Sequence, residues 1–299
     1  MVNLDLGAGR SPLQEDYMKE YERLYSTLNT PATGLNIIRG KIKLPPYDTS
    51  QPAKKEYGFP PAFIPWWSSS SIPHYFGYWI HFLNPLRKLT FVQLSTNIGL
   101  GGPYHAFEIA RNFNQFLVGT VFAYICVFEE LDDEVREFAK AAGVKKPDEL
   151  LKIIMENDST PRGLRSHPLF KAETPLACFN EDEIESYQLD FPHNKMELNP
   201  EAARQICTVE IYDTLQERIV KMKNSPEWFS TSSQKKTFES LMKKNDHAGA
   251  WMCLNSRGWL YKEARKALES LALAVRDPVL DLLAEAWVKI PHEGYEKGY

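Results

Sequence analysis

The most constraining stretch of the chain is Phe59-Pro60-Pro61-Ala62-Phe63-Ile64-Pro65-Trp66-Trp67. Proline fixes φ and lacks the N–H that a helix needs, so three prolines in seven residues exclude a helix here. They also confine any strand to an edge position or a short piece. The residues that follow the Ser68–Ser71 turn are dense in rings, from His74 to Phe82, and read as a second strand. Asn84-Pro85 makes a turn, and Leu89 to Leu94 reads as a third strand. Leu35 to Leu44 alternates partly between apolar and polar residues and is assigned as an earlier strand. Residues 35–94 together predict an antiparallel meander.

Helices are expected on both sides of this sheet region. Ser11-Pro12-Leu13-Gln14 has the form of a capping box with proline at the first helical position, and Leu13, Tyr17, Tyr21, Leu24 and Leu28 follow at helical spacing. Thr30-Pro31 and Gly34 are expected to stop that helix. After the glycine cluster Gly99–Gly102, a dense apolar helix is predicted from about His105 to Glu129. Asp132 or Asp133 caps the next helix, through Ala142 with Gly143 at its end, and Pro147 opens another to about Glu156. Residues 158–198 are irregular and rich in proline. From Asn199 onward the pattern is helical, with caps at Asn199-Pro200, Ser225-Pro226 and Asp277-Pro278 and helices over 234–244, 247–255 and 257–275. The expected class is α+β: a small antiparallel sheet flanked by helices, followed by an all-helical C-terminal region. The expected organisation is an α+β domain over 1–157, an irregular connection over 158–198 and a helical domain over 199–299.

Composition narrows the function. The 299 residues carry 35 basic and 39 acidic side chains, a formal charge of −4. General nucleic-acid binding needs clustered Lys and Arg to displace counterions, so this balance argues against it. No run of about 18 uncharged apolar residues occurs, so no membrane span is expected. The N-terminus lacks a basic and apolar leader pattern, which points to a cytoplasmic protein. Cys126, Cys178, Cys207 and Cys253 are far apart and form no CxxC pair, so they read as reduced, mostly buried thiols rather than a disulfide framework or zinc site.

The sequence shows no catalytic constellation. HExxH, GxSxG and the phosphate-loop lysine pattern are all absent. His74 and His81 are seven apart and would face opposite sides of one strand. His105 and Glu108, three apart at an expected helix start, are the one pair suited to two metal ligands, and a third ligand is lacking. No metal site and no cofactor are expected. The acidic residues Glu129, Glu130, Asp132 and Asp133 form a carboxylate cluster. Such a cluster either favours a helix N-terminus or presents charge to a partner. Trp66, Trp67, Tyr75, Phe76, Tyr78 and Trp79 crowd fourteen residues. Alternation places Tyr75 and Trp79 on one face and Phe76 and Tyr78 on the other. Two readings follow: a sheet covered on both sides, or an exposed aromatic surface that anchors a protein partner.

Residues 57–118, about a fifth of the chain, resemble the core of the SUKH superfamily. The resemblance lies in Phe63-Ile64-Pro65-Trp66-Trp67, the serine-rich turn, the aromatic strand Tyr75-Phe76-Gly77-Tyr78-Trp79, the strand Leu89 to Leu94, and Phe113-Asn114-Gln115-Phe116-Leu117 in the following helix. It implies an α+β fold, no cofactor and no catalytic residues. Many bacterial members are immunity proteins that neutralise a cognate protein toxin by direct contact. On that reading the expected partner-binding residues are Glu129, Glu130, Asp132, Asp133, Trp66 and Trp67. A helical scaffold or adaptor using the C-terminal array is the second reading, and an enzyme with a site around His105 and Glu108 the third.

Overall fold

The computed structural model describes residues 21–45, 59–68, 74–84, 88–95, 105–156, 168–171, 208, 213–289 and 298–299. The Ser11–Gln14 cap, the glycine cluster at 99–103, the 158–167 and 172–198 parts of the irregular stretch, and the Asn199-Pro200 cap lie outside the described residues.

Four strands form one antiparallel sheet in the order β1-β2-β3-β4: β1 Phe63–Ser68, β2 His74–Trp79, β3 Thr90–Ser95 and β4 His105–Ala110. Each strand pairs with the next in sequence, as a meander requires. Register fixes the two faces. Tyr78 sits opposite Phe91 and Phe76 opposite Gln93, while Tyr75 sits opposite Leu94 and Trp79 opposite Thr90. Tyr75, Tyr78, Trp79, Phe91 and Leu94 are all buried. The sheet is therefore covered on both faces, and the aromatic crowding is core.

A bulge in β1 gives that core its centre. Pairing runs from Pro65↔Gly77 to Trp67↔Phe76, leaving Trp66 as the extra residue. One additional residue breaks the alternation, so two adjacent tryptophans reach the same side. Trp67 stacks on Phe76 at 4.2 Å between centroids, and Trp66 meets Tyr78 edge-on at 4.7 Å and Phe91 at 5.2 Å. Gly77 serves the same junction, because a Cβ there would overlap the Ile64 carbonyl.

Residues 21–27 form helix α1, and Ala32–Ile38 form α2. The expected strand over Leu35–Leu44 is corrected by α2. Pro31 stands at its N-cap, and Gly34, read from sequence as a stop, lies inside it. A Cβ on Gly34 would come within 2.9 Å of the Trp66 ring, so glycine lets this helix lie against the tryptophan. The Tyr25 hydroxyl on α1 donates to the Pro65 carbonyl at the bulge.

β4 occupies residues that the sequence predicts as the start of a long helix. The helix, α3, spans Phe113–Phe128. Its start is set by Asn112, whose side chain accepts from Gln115 N–H at 3.0 Å, and by Gln115, whose Oε1 accepts from Arg111 N–H at 2.9 Å. This is a capping arrangement three residues wide. Phe116 on α3 stacks on Phe91 at 4.7 Å and meets Trp66 at 5.7 Å, closing one sheet face. Helices α4 (Asp133–Ala142) and α5 (Pro147–Glu156) follow with the predicted caps, and Gly143 adopts φ 78°. Pro168–Lys171 forms the short α6, whose Leu169 carbonyl accepts from the fully buried Gln115 at 2.7 Å.

The described C-terminal elements are helices apart from one isolated bridge: α7 Asp213–Val220, a 3-10 turn Glu227–Phe229, α8 Gln234–Lys243, α9 His247–Leu254, α10 Tyr261–Val275 and α11 Pro278–Lys289. These helices are tied to the sheet through its backbone. Trp251 Nε1 on α9 donates to the Ile80 carbonyl at 3.2 Å, and Trp287 Nε1 on α11 donates to the Phe59 carbonyl at 2.9 Å. Asn255, at the end of α9, accepts from Ala62 N–H at 2.6 Å and donates to the Trp251 carbonyl at 2.8 Å.

Replacing either indole with phenyl keeps an aromatic ring in place and leaves a buried carbonyl without its donor. Trp251→Phe and Trp287→Phe are each expected to lower stability by about 1–3 kcal/mol. The midpoint of urea unfolding, followed by circular dichroism, measures this. A midpoint equal to the parent's would show that these bonds do not hold the helices to the sheet.

Candidate functional site

The carboxylate cluster stands at a corner where α3 ends and α4 begins. Phe128 is the last residue of α3, and Glu129 follows in the left-handed conformation at φ 56°. Leu131 is buried and pins the turn to the core. Asp132 is the N-cap of α4, accepting from Val135 N–H at 2.9 Å. Asp133 and Glu134 occupy the first turn.

The four predicted carboxylates do different work. Asp132 is committed to structure: besides capping α4, it accepts a hydrogen bond from the Tyr124 hydroxyl. That hydroxyl, and then the Val135 N–H, hold the Asp132 carboxyl below the usual carboxylate range. The same hydrogen bond raises the Tyr124 phenol to about 12, because losing its proton would set two anions side by side. Asp133 faces water at the positive end of the α4 dipole, where a carboxylate is favoured.

Glu129 and Glu130 are exposed and follow the opposite end of α3. A carboxylate there meets the negative end of a helix dipole. Glu129 also takes the left-handed position that glycine fills at least cost. Local stability therefore does not account for Glu129.

Phe128 completes the corner, at the end of the dense apolar helix that the sequence predicts to about Glu129. Its ring is 46% exposed, while Tyr124, one turn earlier and 4.6 Å away between centroids, is buried. An outward ring is thus backed by a fixed one and flanked by carboxylates. The signal available in sequence was an aromatic residue directly before two glutamates at a helix end.

Trp66 and Trp67 do not join this corner. They are 0% and 3% exposed, so their rings are core rather than contact surface. Trp66 packs against the first turn of α3, near Phe113 and Phe116. The thirteen residues from Phe116 to Glu129 separate it from the carboxylates by about 20 Å along the helix. The bulge that turns both tryptophans inward is the physical reason for this correction.

His105 and Glu108 lie on β4, not at a helix start. Glu108 is paired with Arg111 at 2.9 Å, both largely shielded from water. His81 is buried, with Nε2 at 2.9 Å from Thr90 Oγ1. Among the described residues, no group of three or more His, Cys, Asp or Glu is placed to hold a metal ion. Burial pushes the Cys126 thiol up to about 11 and the Cys253 thiol up to about 12, which keeps both protonated and unreactive near neutral pH. Cys178 and Cys207 lie outside the described residues. No described helix is long and apolar enough to cross a membrane.

No protein-family model, curated protein or solved structure gives a significant match to the chain.

The Tyr124–Asp132 pair gives a test with a definite sign. A carboxyl whose folded pKa is depressed stabilises the protein above its unfolded value, near 3.9, and that contribution is lost as pH falls through the folded value. Tyr124→Phe is expected to move the Asp132 carboxyl titration, followed by carbon NMR, upward toward the ordinary value. Asp132→Ala is expected to cost about 1 kcal/mol near neutral pH, shrinking in acid. An unmoved titration in Tyr124→Phe would show that the hydroxyl does not set the Asp132 charge.

Proposed function

We propose that this chain is a cytoplasmic binding protein of the immunity type, which neutralises a protein toxin by seating a basic surface of it against the α3–α4 corner. The reading rests on one observation: Phe128 stands exposed directly before the exposed Glu129 and Glu130, at a helix end where Glu129 is unfavourable for the fold itself. An aromatic anchor inside a charged rim is the usual arrangement of a protein contact, with the ring contributing affinity and the charges steering encounter. The net charge of −4 favours the same kind of partner. The SUKH-like phrases over residues 57–118 agree with it, since the resemblance implies a partner-binding role without catalysis. Trp66 serves this reading indirectly, by packing against the first turn of the helix that presents Phe128.

Glu129→Gly separates function from fold. It restores the residue type preferred in the left-handed position and removes a carboxylate from a helix C-terminus. It is therefore expected to raise stability by about 0.5–1 kcal/mol. In the same variant the toxin complex is expected to form more slowly at low salt, with a weaker dependence on ionic strength. Phe128→Ala is expected to weaken the complex by a factor of about 30 or more. The measurement is capture of the partner by the parent chain, then surface plasmon resonance of each variant at low and moderate salt. Parent-like binding in both variants would place the interface elsewhere and favour the adaptor reading.

A further inference from the structure

The C-terminal helices carry a charge opposite in sign to that of the chain. Residues 213–289 hold 13 basic and 10 acidic side chains, against 35 and 39 in the whole sequence. Helices α8 and α10 alone supply that excess, with six basic and three acidic residues. The two helices lie side by side. Buried Phe238 on α8 meets Trp259, just before α10, edge-on at 5.8 Å, and Lys235 on α8 reaches Glu263 on α10 at 3.9 Å.

Helical spacing sets which residues face outward. On α10, Tyr261, Ala264, Leu268 and Leu271 are buried, while Lys262, Lys266 and Leu273 run down the opposite side at spacings of four and seven. On α8, Lys236 and Lys243 are seven apart and exposed, opposite the buried Phe238 and Leu241. Among the described residues, none of these four lysines has an ion-pair partner. The acidic residues nearby offset them only in part. Glu263 is engaged by Lys235, Glu269 is paired with Arg265 at 3.5 Å, and Glu239 stands between Lys236 and Lys243.

Leu273 is 74% exposed, more than any other large hydrophobic side chain among the described residues. It adds nothing to the core, and it shares the stripe of Lys262 and Lys266. This combination tells one anionic partner from another. A surface for single-stranded nucleic acid sets exposed rings among its lysines, so that bases can stack. Here Phe238, Trp259 and Tyr261, the rings carried by this helix pair, are all buried. An aliphatic side chain among lysines is the pattern of an interfacial helix, in which the apolar group enters the acyl boundary and the ammonium groups meet anionic headgroups.

We propose that the outer face of α8 and α10 is a docking surface for an anionic bilayer, with Lys236, Lys243, Lys262 and Lys266 on the headgroups and Leu273 inserted between them. The contact lies on the membrane surface and needs no spanning segment. It combines two signals, each too weak to hold the protein alone, so attachment is reversible and sensitive to salt.

The test is co-sedimentation of the full chain with vesicles of phosphatidylcholine, alone or with phosphatidylserine at about a third of the lipid, at low and high salt. Partitioning onto the phosphatidylserine vesicles at low salt is expected, with loss at high salt and little binding to phosphatidylcholine. The double variant Lys262→Gln, Lys266→Gln is expected to lower partitioning about 25-fold, at roughly fivefold per lysine. Leu273→Ala is expected to lower it about fivefold. All three positions are exposed, so both variants are expected to keep the parent's circular dichroism and urea midpoint. The proposal is overturned if the two vesicle types bind equally, or if either variant partitions like the parent. Tighter binding to a thymidine oligonucleotide than to the vesicles, unchanged by Leu273→Ala, would also overturn it and assign the face to nucleic acid.

Discussion

A strand that ends inside a protein leaves peptide groups with no ladder partner, and a buried peptide group without a partner costs as much as a lost hydrogen bond. The segments flanking β1 and β2 present this problem together, at Ala62 and Ile80 beside the strand ends and at Phe59 four residues before β1. Two indole N–H groups and one amide, from Trp287, Trp251 and Asn255, answer it. Tryptophan suits the task because it carries a donor on the edge of a large apolar ring, so it fills volume and satisfies a carbonyl at once. These three bonds join the C-terminal helices to the sheet region within one continuous apolar core. The aromatic packing across the bulge then has a fixed frame to settle into.

The two ends of α3 illustrate how one helix separates folding from presentation. Its first turn is bound into the sheet by Phe113 and Phe116 and capped by Asn112 and Gln115. Its last turn ends in a left-handed glutamate beside an exposed ring. Residues at the first end meet the preference for a side-chain cap. Residues at the second end depart from the preference for glycine and for positive charge at a helix C-terminus. Departures of this kind concentrate where a surface has a task other than stability.

Much of the architecture was readable from punctuation. Asp132 with Gly143, Pro147, Asp277-Pro278 and the break between α8 and α9 set helix limits within a residue or two, whereas α10 begins four residues later than expected, at Tyr261. The meander was readable from prolines and rings. What escaped were elements whose local signal contradicts their packing. Ala106, Glu108 and Ala110 are helix formers, yet β4 completes the sheet, and the Asn112–Gln115 cap was the cue that the helix begins later. Gly34 looked like a stop and is a point of close approach to Trp66. At the candidate site the acidic positions were legible as a cluster. The division of labour within it was not, because it depends on which carboxylate meets Tyr124 and which end of a dipole each one faces. The burial of Trp66 and Trp67 was hidden by a single extra residue in β1, since alternation alone would have sent one of them outward.

The same three tethers carry a temporal consequence. They join residues 171, 193 and 228 positions apart in the chain. During synthesis at roughly 5–20 residues per second, the strands at 59–95 wait on the order of 10–45 s for the tryptophans that satisfy their ends. Throughout that interval an aromatic sheet with two unfinished strand ends stands next to other nascent chains. A ribosome that stalls before α11 releases a product whose most adhesive surface is complete and whose cover is missing. In this chain the strands are made long before the helices that satisfy their ends.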